Sequence, residues 1–182
     1  MLSNELTQTT LVGPIVLLKE NFDDCSDIAF FEKSEASAKN WRCENTFGEN
    51  NTGSIGINGY EEIELSKDWL ITKNAINFDI EYNEKISFYA DAAYGDSPLE
   101  LVYSSDYDGL GNPSDFTWTA VPNCTIPIKS DSSGTEEVFY FNDRDVSSIT
   151  GVVYIAFKYF SNGNPTRWTI DNFKITADEN ED

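Results

Sequence analysis

A chain of 182 residues, 40% of them hydrophobic, is long enough for one domain with a real core and short for two. Its 12 Lys and Arg stand against 32 Asp and Glu, a formal charge of −20 that excludes the basic face a nucleic-acid module needs and disfavours charge attachment to an anionic membrane. Histidine is absent, which removes His-dependent triads, histidine-ligated zinc and histidine acid–base catalysis, while 14% aromatics argue against an unfolded acidic chain.

In chain order, residues 1–13 read as a flexible segment, and Ile15-Val16-Leu17-Leu18 is too short to span a bilayer. Phe31 to Asn40 is the one stretch that suggests a short helix or a long loop. Ile55 and Ile57 alternate with small residues; Ile76, Phe78 and Ile80 alternate with Asn77 and Asp79. Ile86, Phe88, Ala90, Ala92 and Tyr94 share one parity and Lys85, Ser87, Tyr89 and Asp91 the other, the pattern of a strand with one buried face. Leu99 to Tyr103, after the Gly95-Asp96-Ser97-Pro98 turn, reads as its hairpin partner. Val152 to Phe160 is apolar on both faces, as in a central strand, and Val138 to Phe141 looks similar. Many short strands punctuated by turns, with no sustained helical period, predict an all-β, antiparallel two-sheet sandwich.

The three cysteines, Cys25, Cys43 and Cys124, have no CxxC spacing. A structural zinc is excluded for want of ligands, and the preferred reading is buried thiols, with a Cys25–Cys43 bridge as the alternative if their strands lie side by side.

Four stretches are specific in wording and order: Glu20-Asn21-Phe22-Asp23-Asp24; Asp68-Trp69-Leu70-Ile71-Thr72; Tyr103 to Gly109 with Gly111-Asn112-Pro113 and Phe116 to Thr119; and Val153 to Tyr159 followed by Trp168-Thr169-Ile170-Asp171-Asn172-Phe173. Over residues 15–176 the chain resembles the choice-of-anchor J domains, relatives of cleaved-adhesin and MAM-like jelly rolls in secreted and surface proteins of Bacteroidota. The acidic, uncapped residues 177–182 read as a disordered tail, and the resemblance implies a jelly-roll β-sandwich over residues 14–176, an extracellular or cell-surface location with any lipid anchor elsewhere, and commonly a bound calcium ion. It implies no single activity. Many relatives carry a proline after the Asp68–Thr72 segment, where this chain has Lys73-Asn74.

Asp23, Asp24 and Asp27 follow the first strand, and Asp171 and Asn172 sit inside the last. Trp168 and Ile170 share one parity whereas Phe173 and Ile175 take the other, so the strand must contain a β-bulge at Asp171-Asn172. A bulge can turn successive polar groups the same way, which suits a hard cation seeking several oxygens. If the first and last strands are neighbours, as the resemblance implies, Asp23, Asp24, Asp171 and Asn172 form a candidate calcium site of structural character. The alternative is solvated turn residues and a capped strand end. Asp106 to Asn112 departs from the EF-hand pattern and reads as a hairpin loop with Gly and Asn at positive φ.

Trp69 and Trp168 lie in strand patterns and read as core; Trp118, Tyr60, Tyr94 and Tyr107 border turns and are candidates for an exposed platform on which sugar rings stack. No GxSxG, SxxK or GxxxxGK occurs, and some close carboxylate pair is inevitable among 32 acids, so no catalytic set is assigned. The expectation is a non-catalytic extracellular binding module stabilised by calcium, with a neutral or cationic glycan as leading ligand. A protein-binding adhesion module, or an accessory domain beside a catalytic neighbour, are the alternatives.

Overall fold

A computed structural model describes residues 13–36, 39–60 and 65–179. Among the described residues there are twelve strands: β1 (Ile15–Glu20), β2 (Phe30–Ala36), β3 (Arg42–Glu44), β4 (Ser54–Asn58), β5 (Leu65–Thr72), β6 (Ile76–Asn77), β7 (Tyr82–Ala93), β8 (Leu99–Ser104), β9 (Thr119–Ala120), β10 (Glu137–Asp145), β11 (Val152–Asn162) and β12 (Arg167–Asp178). They form two antiparallel sheets of six. One runs β10-β7-β12-β4-β3 with β1 also on β12; the other runs β2-β5-β11-β8-β9 with β6 on β11. The expected two-sheet sandwich is therefore the fold, and among the described residues no helix is long and apolar enough to cross a membrane.

The core lies between the sheets and is built from the inward parity of each strand. Phe88 stacks on Phe141 (4.2 Å between centroids) and meets Phe157 edge-on (5.3 Å), while Phe30 meets Phe173 edge-on at 5.3 Å. Trp168 is fully buried, its indole N–H donating to Ser97 O. Burying such rings contributes roughly 2–3 kcal/mol each, so the aromatic residues of β7, β10, β11 and β12 hold the layers together.

β11 is the central strand expected, flanked by β5 and β6 on one side and β8 on the other. The alternation in β7 holds from Ile86 to Ala92 and then fails, because Tyr94 and Gly95 take positive φ (62° and 48°). That bend carries the chain out of the first sheet. β7 and β8 are thus not the predicted hairpin: β7 pairs with β10 and β12, whereas β8 pairs with β11 and β9. The crossover is held by Ser97, whose N–H donates to Thr166 Oγ1 and whose hydroxyl donates to Asn164 O. Phe31 to Asn40 is another correction, since Phe30–Ala36 is β2, an edge strand aligned on β5 from Phe30↔Thr72 to Ala36↔Lys67. Of Ile76 to Ile80 only Ile76–Asn77 is a strand, and Ile80 is exposed. Val138 to Phe141 belongs to edge strand β10, with Val138 and Tyr140 facing out.

At the C-terminal end β12 continues to Asp178, and Ala177 is buried opposite Ile15, so the acidic tail does not begin at 177. Residues 1–12 and 180–182 of the two terminal segments lie outside the described residues. Cys25 and Cys43, read as buried thiols, are instead joined in a disulfide. The loop that carries Cys25 meets edge strand β3, which carries Cys43, at one edge of the first sheet, a proximity that local patterning does not reveal. Cys124 is the buried free thiol of the set, and burial pushes it up to about 11.

Candidate functional site: an oxygen cradle and two aromatic pockets

β1 and β4 lie end to end along the same flank of β12: β1 pairs with Phe173–Ala177 and β4 with Arg167–Ile170. The gap between them falls at Asp171 and Asn172, where the β12–β7 register shifts and Asn172 takes φ 51°. The predicted bulge and the predicted meeting of first and last strands are both present.

Into this gap come the residues just after β1 and just before β4. Asp23 Oδ1 accepts from Gly53 N at 3.1 Å. Asp171 Oδ2 accepts from Glu49 N at 2.9 Å and from Thr52 Oγ1 at 3.0 Å, and its Oδ1 accepts from Asn172 N at 2.6 Å. Two glycines make the approach feasible. A Cβ at Gly48 would lie 2.1 Å from Gly53 O and 2.7 Å from Asp171 Oδ2, and one at Gly53 would lie 2.7 Å from Phe22 O. Asp171 is fully buried. Burial pushes its carboxyl above the usual range, backbone and hydroxyl donors pull it down, and nearby Asp23 adds repulsion. The oxygens of Asp23, Asp171, Phe22, Gly53 and Thr52 thus crowd one small volume containing two acids, and none of the described ion pairs brings a cationic side chain to Asp171.

The four expected metal residues separate here. Asp23 and Asp171 converge. Asp24 is exposed and accepts from Ser26 N, and Asn172 donates its amide to Glu49 Oε2 at 2.9 Å. Asp27 pairs with Lys73, the residue at the position where relatives carry proline. Among the described residues no three carboxylate or thiol side chains are close enough to hold a metal by themselves, so an ion here needs main-chain oxygens as well. The Gly48–Gly53 loop was legible only as a turn; its two glycines five residues apart were the available signal. The Cys25–Cys43 bridge ties the loop after Asp23 to the β3–β4 hairpin that carries it.

The aromatic candidates also separate. Tyr60 and Tyr94, 67% and 52% exposed, line one pocket of about 510 Å³ with Asn58, Gly95, Ser132, Asn164 and Pro165. Gly134 lies so close beneath the Tyr94 ring that a Cβ there would meet it at 2.8 Å, which fixes the ring. Gly95 is obligatory: its Cβ would lie 2.2 Å from Pro165 O. Among the described residues no charged side chain lines this pocket.

Tyr107 is buried and is no platform. It sits under the 105–118 loop, edge-on to Phe116 and Tyr154 and 5.4 Å from Trp118, because that loop folds back over the outer face of the second sheet. Gly109 takes the expected positive φ (78°), whereas Asn112 does not (−69°). Asp106 accepts from Ser104 and Thr117, and Asp108 from Leu110 N and Gly111 N, so both acids shape the loop. Trp118 rests half-buried at the loop's lip, 5.0 Å from Trp69, in a second pocket.

On the outer face of the first sheet, sequence reading missed a pair and a charge network. Tyr89 meets Tyr140 edge-on at 5.5 Å, and Arg167 bridges Asp91 (2.9 Å) and Glu136 (2.8 Å) while lying over the Phe47 ring. Burial drives the Asp91 carboxyl up to about 6 against the pull of Arg167, and Asp91 Oδ2 has no hydrogen-bond partner. The strand parity of Tyr89 and Asp91 marked them as outward-facing, but not as covered.

No family model matches the sequence, and no curated protein matches it. In three dimensions the chain is similar to the K1 and K3 cleaved adhesin domains of Lys-gingipain from Porphyromonas gingivalis W83. The TM-scores are 0.59 and 0.61 at 17% and 15% identity, over 88% and 90% of this chain and 98% and 99% of theirs. It is also similar to the CBM22-1 xylan-binding domain of Xyn10C from Paenibacillus barcinonensis, with TM-score 0.50 at 11% identity over 92% of this chain and 97% of that one. The fold is that of the cleaved adhesin domains, as the sequence resemblance implied.

Proposed function

We propose that the chain is a non-catalytic extracellular binding module whose Tyr60–Tyr94 pocket takes a neutral sugar and whose Asp23–Asp171 cradle takes a calcium ion. The carrying observation is the pocket wall: two exposed tyrosines, two asparagines and a serine, with no charged side chain among the described residues, in a chain of formal charge −20. Aromatic faces receive the C–H face of a pyranose ring, and Asn58, Asn164 and Ser132 offer amide and hydroxyl groups to its hydroxyls. The xylan-binding domain of similar fold supports this ligand class.

At the cradle, calcium supplies positive charge where two acids meet without a cation, and prefers such mixed carboxylate, carbonyl and hydroxyl oxygens. Asp23 and Asp171 hold it from opposite chain ends, while Gly48 and Gly53 keep the space open. Its role there is bracing, since β1 and β4 meet only through this gap.

A glycan array tests the ligand, with neutral sugars as expected hits and Tyr94→Ala lowering affinity about tenfold, the loss of roughly 1–1.5 kcal/mol of stacking. Silence on every sugar beside specific capture of a protein by pulldown would move the assignment to an adhesion module. For the cradle, EDTA should lower the melting temperature and calcium restore it. At a hundredfold excess over Kd the ion adds about 2.7 kcal/mol. Asp171→Asn should abolish that response while the β-rich circular dichroism persists. A transition indifferent to EDTA and calcium rejects the ion.

A further inference from the structure

The outer face of the second sheet carries a different pocket, and it does not depend on the Tyr60–Tyr94 reading. The 105–118 loop roofs half of this face. Its lip, Ser114, Phe116 and Trp118, stands beside an open strip formed by Lys67, Lys158 and Phe160, enclosing about 430 Å³ over the buried ring of Trp69. We propose that this shelf binds an acidic sugar residue, a pyranose ring bearing a carboxylate, with Trp118 under the ring and Lys158 on the carboxylate.

Three observations carry this. The wall has two ammonium groups, each paired with a single carboxylate at its margin (Lys67 with Glu35, Lys158 with Glu100), in a chain with 32 acids and 12 basic residues. Local charge among the described residues is therefore balanced where the molecule as a whole is strongly acidic, which lowers the repulsion an anionic group meets at short range. Second, the shelf is held rigid from beneath. Glu35, with its side chain only 9% exposed, accepts from Trp69 Nε1 (3.1 Å), Ser114 N (2.9 Å), Ser114 Oγ (2.6 Å) and Lys67 Nζ (2.9 Å). Trp118 Nε1 donates to Pro113 O at 2.9 Å, which fixes the indole plane. Third, Lys158 is positioned but not saturated. Its Nζ lies 5.6 Å from the Trp69 ring centroid and makes one ion pair, to a half-exposed Glu100 at 2.9 Å. An ammonium has three donors, so two remain for a ligand, and an exposed pair of this kind contributes little to hold the lysine elsewhere. Lys67, by contrast, is engaged with both Glu35 and Ser114.

The test uses tryptophan fluorescence and calorimetry with digalacturonate, digalactose and a glutamate-rich peptide as probes. Digalacturonate should bind saturably and change the emission, with digalactose at least about tenfold weaker. Lys158→Gln should weaken digalacturonate about tenfold or more with an unchanged melting temperature, the loss expected of one charge-assisted hydrogen bond. Trp118→Ala should weaken it and remove the emission change. Should Trp118→Ala not fold, Lys158→Gln alone decides. Tyr94→Ala should leave digalacturonate binding intact, which separates this shelf from the neutral pocket. Equal binding of both disaccharides, no saturable binding, indifference to Lys158→Gln, or tighter binding of the peptide would each overturn the proposal, the last by making the partner a protein.

Discussion

The two sheets share one core but cover their outer faces by opposite means. Over the second sheet, the 105–118 loop lays down aromatic rings and anchors them on Glu35, a carboxylate that receives four donors including the Lys67 ammonium. Over the first sheet, the β3–β4 loop brings oxygens. Asp171 is more deeply enclosed and also receives donors, but only neutral ones, with the acid Asp23 nearby. Burial pushes the carboxyl of Glu35 up, yet Ser114, Lys67 and Trp69 outweigh it and hold it at about 2; at Asp171 burial wins and the shift is upward. Enclosure alone therefore does not decide whether a buried acid is comfortable as an anion. The balance of burial against the donors and cations that reach it does: at Asp91 burial still wins with Arg167 2.9 Å away.

Breaking the covalent tie over the first sheet should have the largest effect. Cys43→Ser opens a loop with sequence separation 18, and should cost about 3 kcal/mol in urea unfolding. It should also weaken any calcium response, since the bridge holds the cradle loop near Asp23. The counterpart over the second sheet comes next. Glu35→Ala leaves Lys67 and the Ser114 hydroxyl without their acceptor, and should cost about 1–3 kcal/mol while making the Trp118 emission more solvent-exposed.

The pH dependence sharpens the contrast in sign. The Glu35 carboxyl titrates below its ordinary value, so the stability it contributes is complete above 4.5 and is lost as pH falls towards about 2. Asp91, over the first sheet, titrates above its ordinary value. Between 3.8 and about 6 the folded chain holds a proton the unfolded chain has released, and stability from this group declines as pH rises through that window. Asp91→Asn should flatten that decline and change stability at pH 7 by less than about 1 kcal/mol, because Arg167 keeps Glu136. Denaturant midpoints across pH 3–7 in parent and variant measure it. An acid limb unchanged by Glu35→Gln would contradict the reading of the second sheet.

Much of this was legible in the sequence, and the residues show why. The phase flip between Ile170 and Phe173 announced the bulge because strand parity is a local property with period two. The same property placed Trp168 between the sheets and found both-faced burial in β11, whereas Trp69, read as core, is buried on the outer face of the second sheet under the 105–118 loop. Tyr60 and Tyr94 were read as exposed because they border turns, and their convergence required Gly95 to bend the chain against Pro165. Tyr107 has the same turn context yet is buried. Its fate depends on which face the 105–118 loop covers, and no local pattern carries that information.

By itself the sequence determined the all-β class, the strand parities, the bulge in the last strand and the exclusion of histidine chemistry and of a basic nucleic-acid face, all consequences of composition and short-range periodicity. Only the tertiary structure decided that β7 and β8 part into different sheets, that Cys25 meets Cys43, and that Asp23 rather than Asp24 faces Asp171. Those outcomes depend on which distant strands pair and in what register, and pairing energies are summed over the whole core rather than written at any single position.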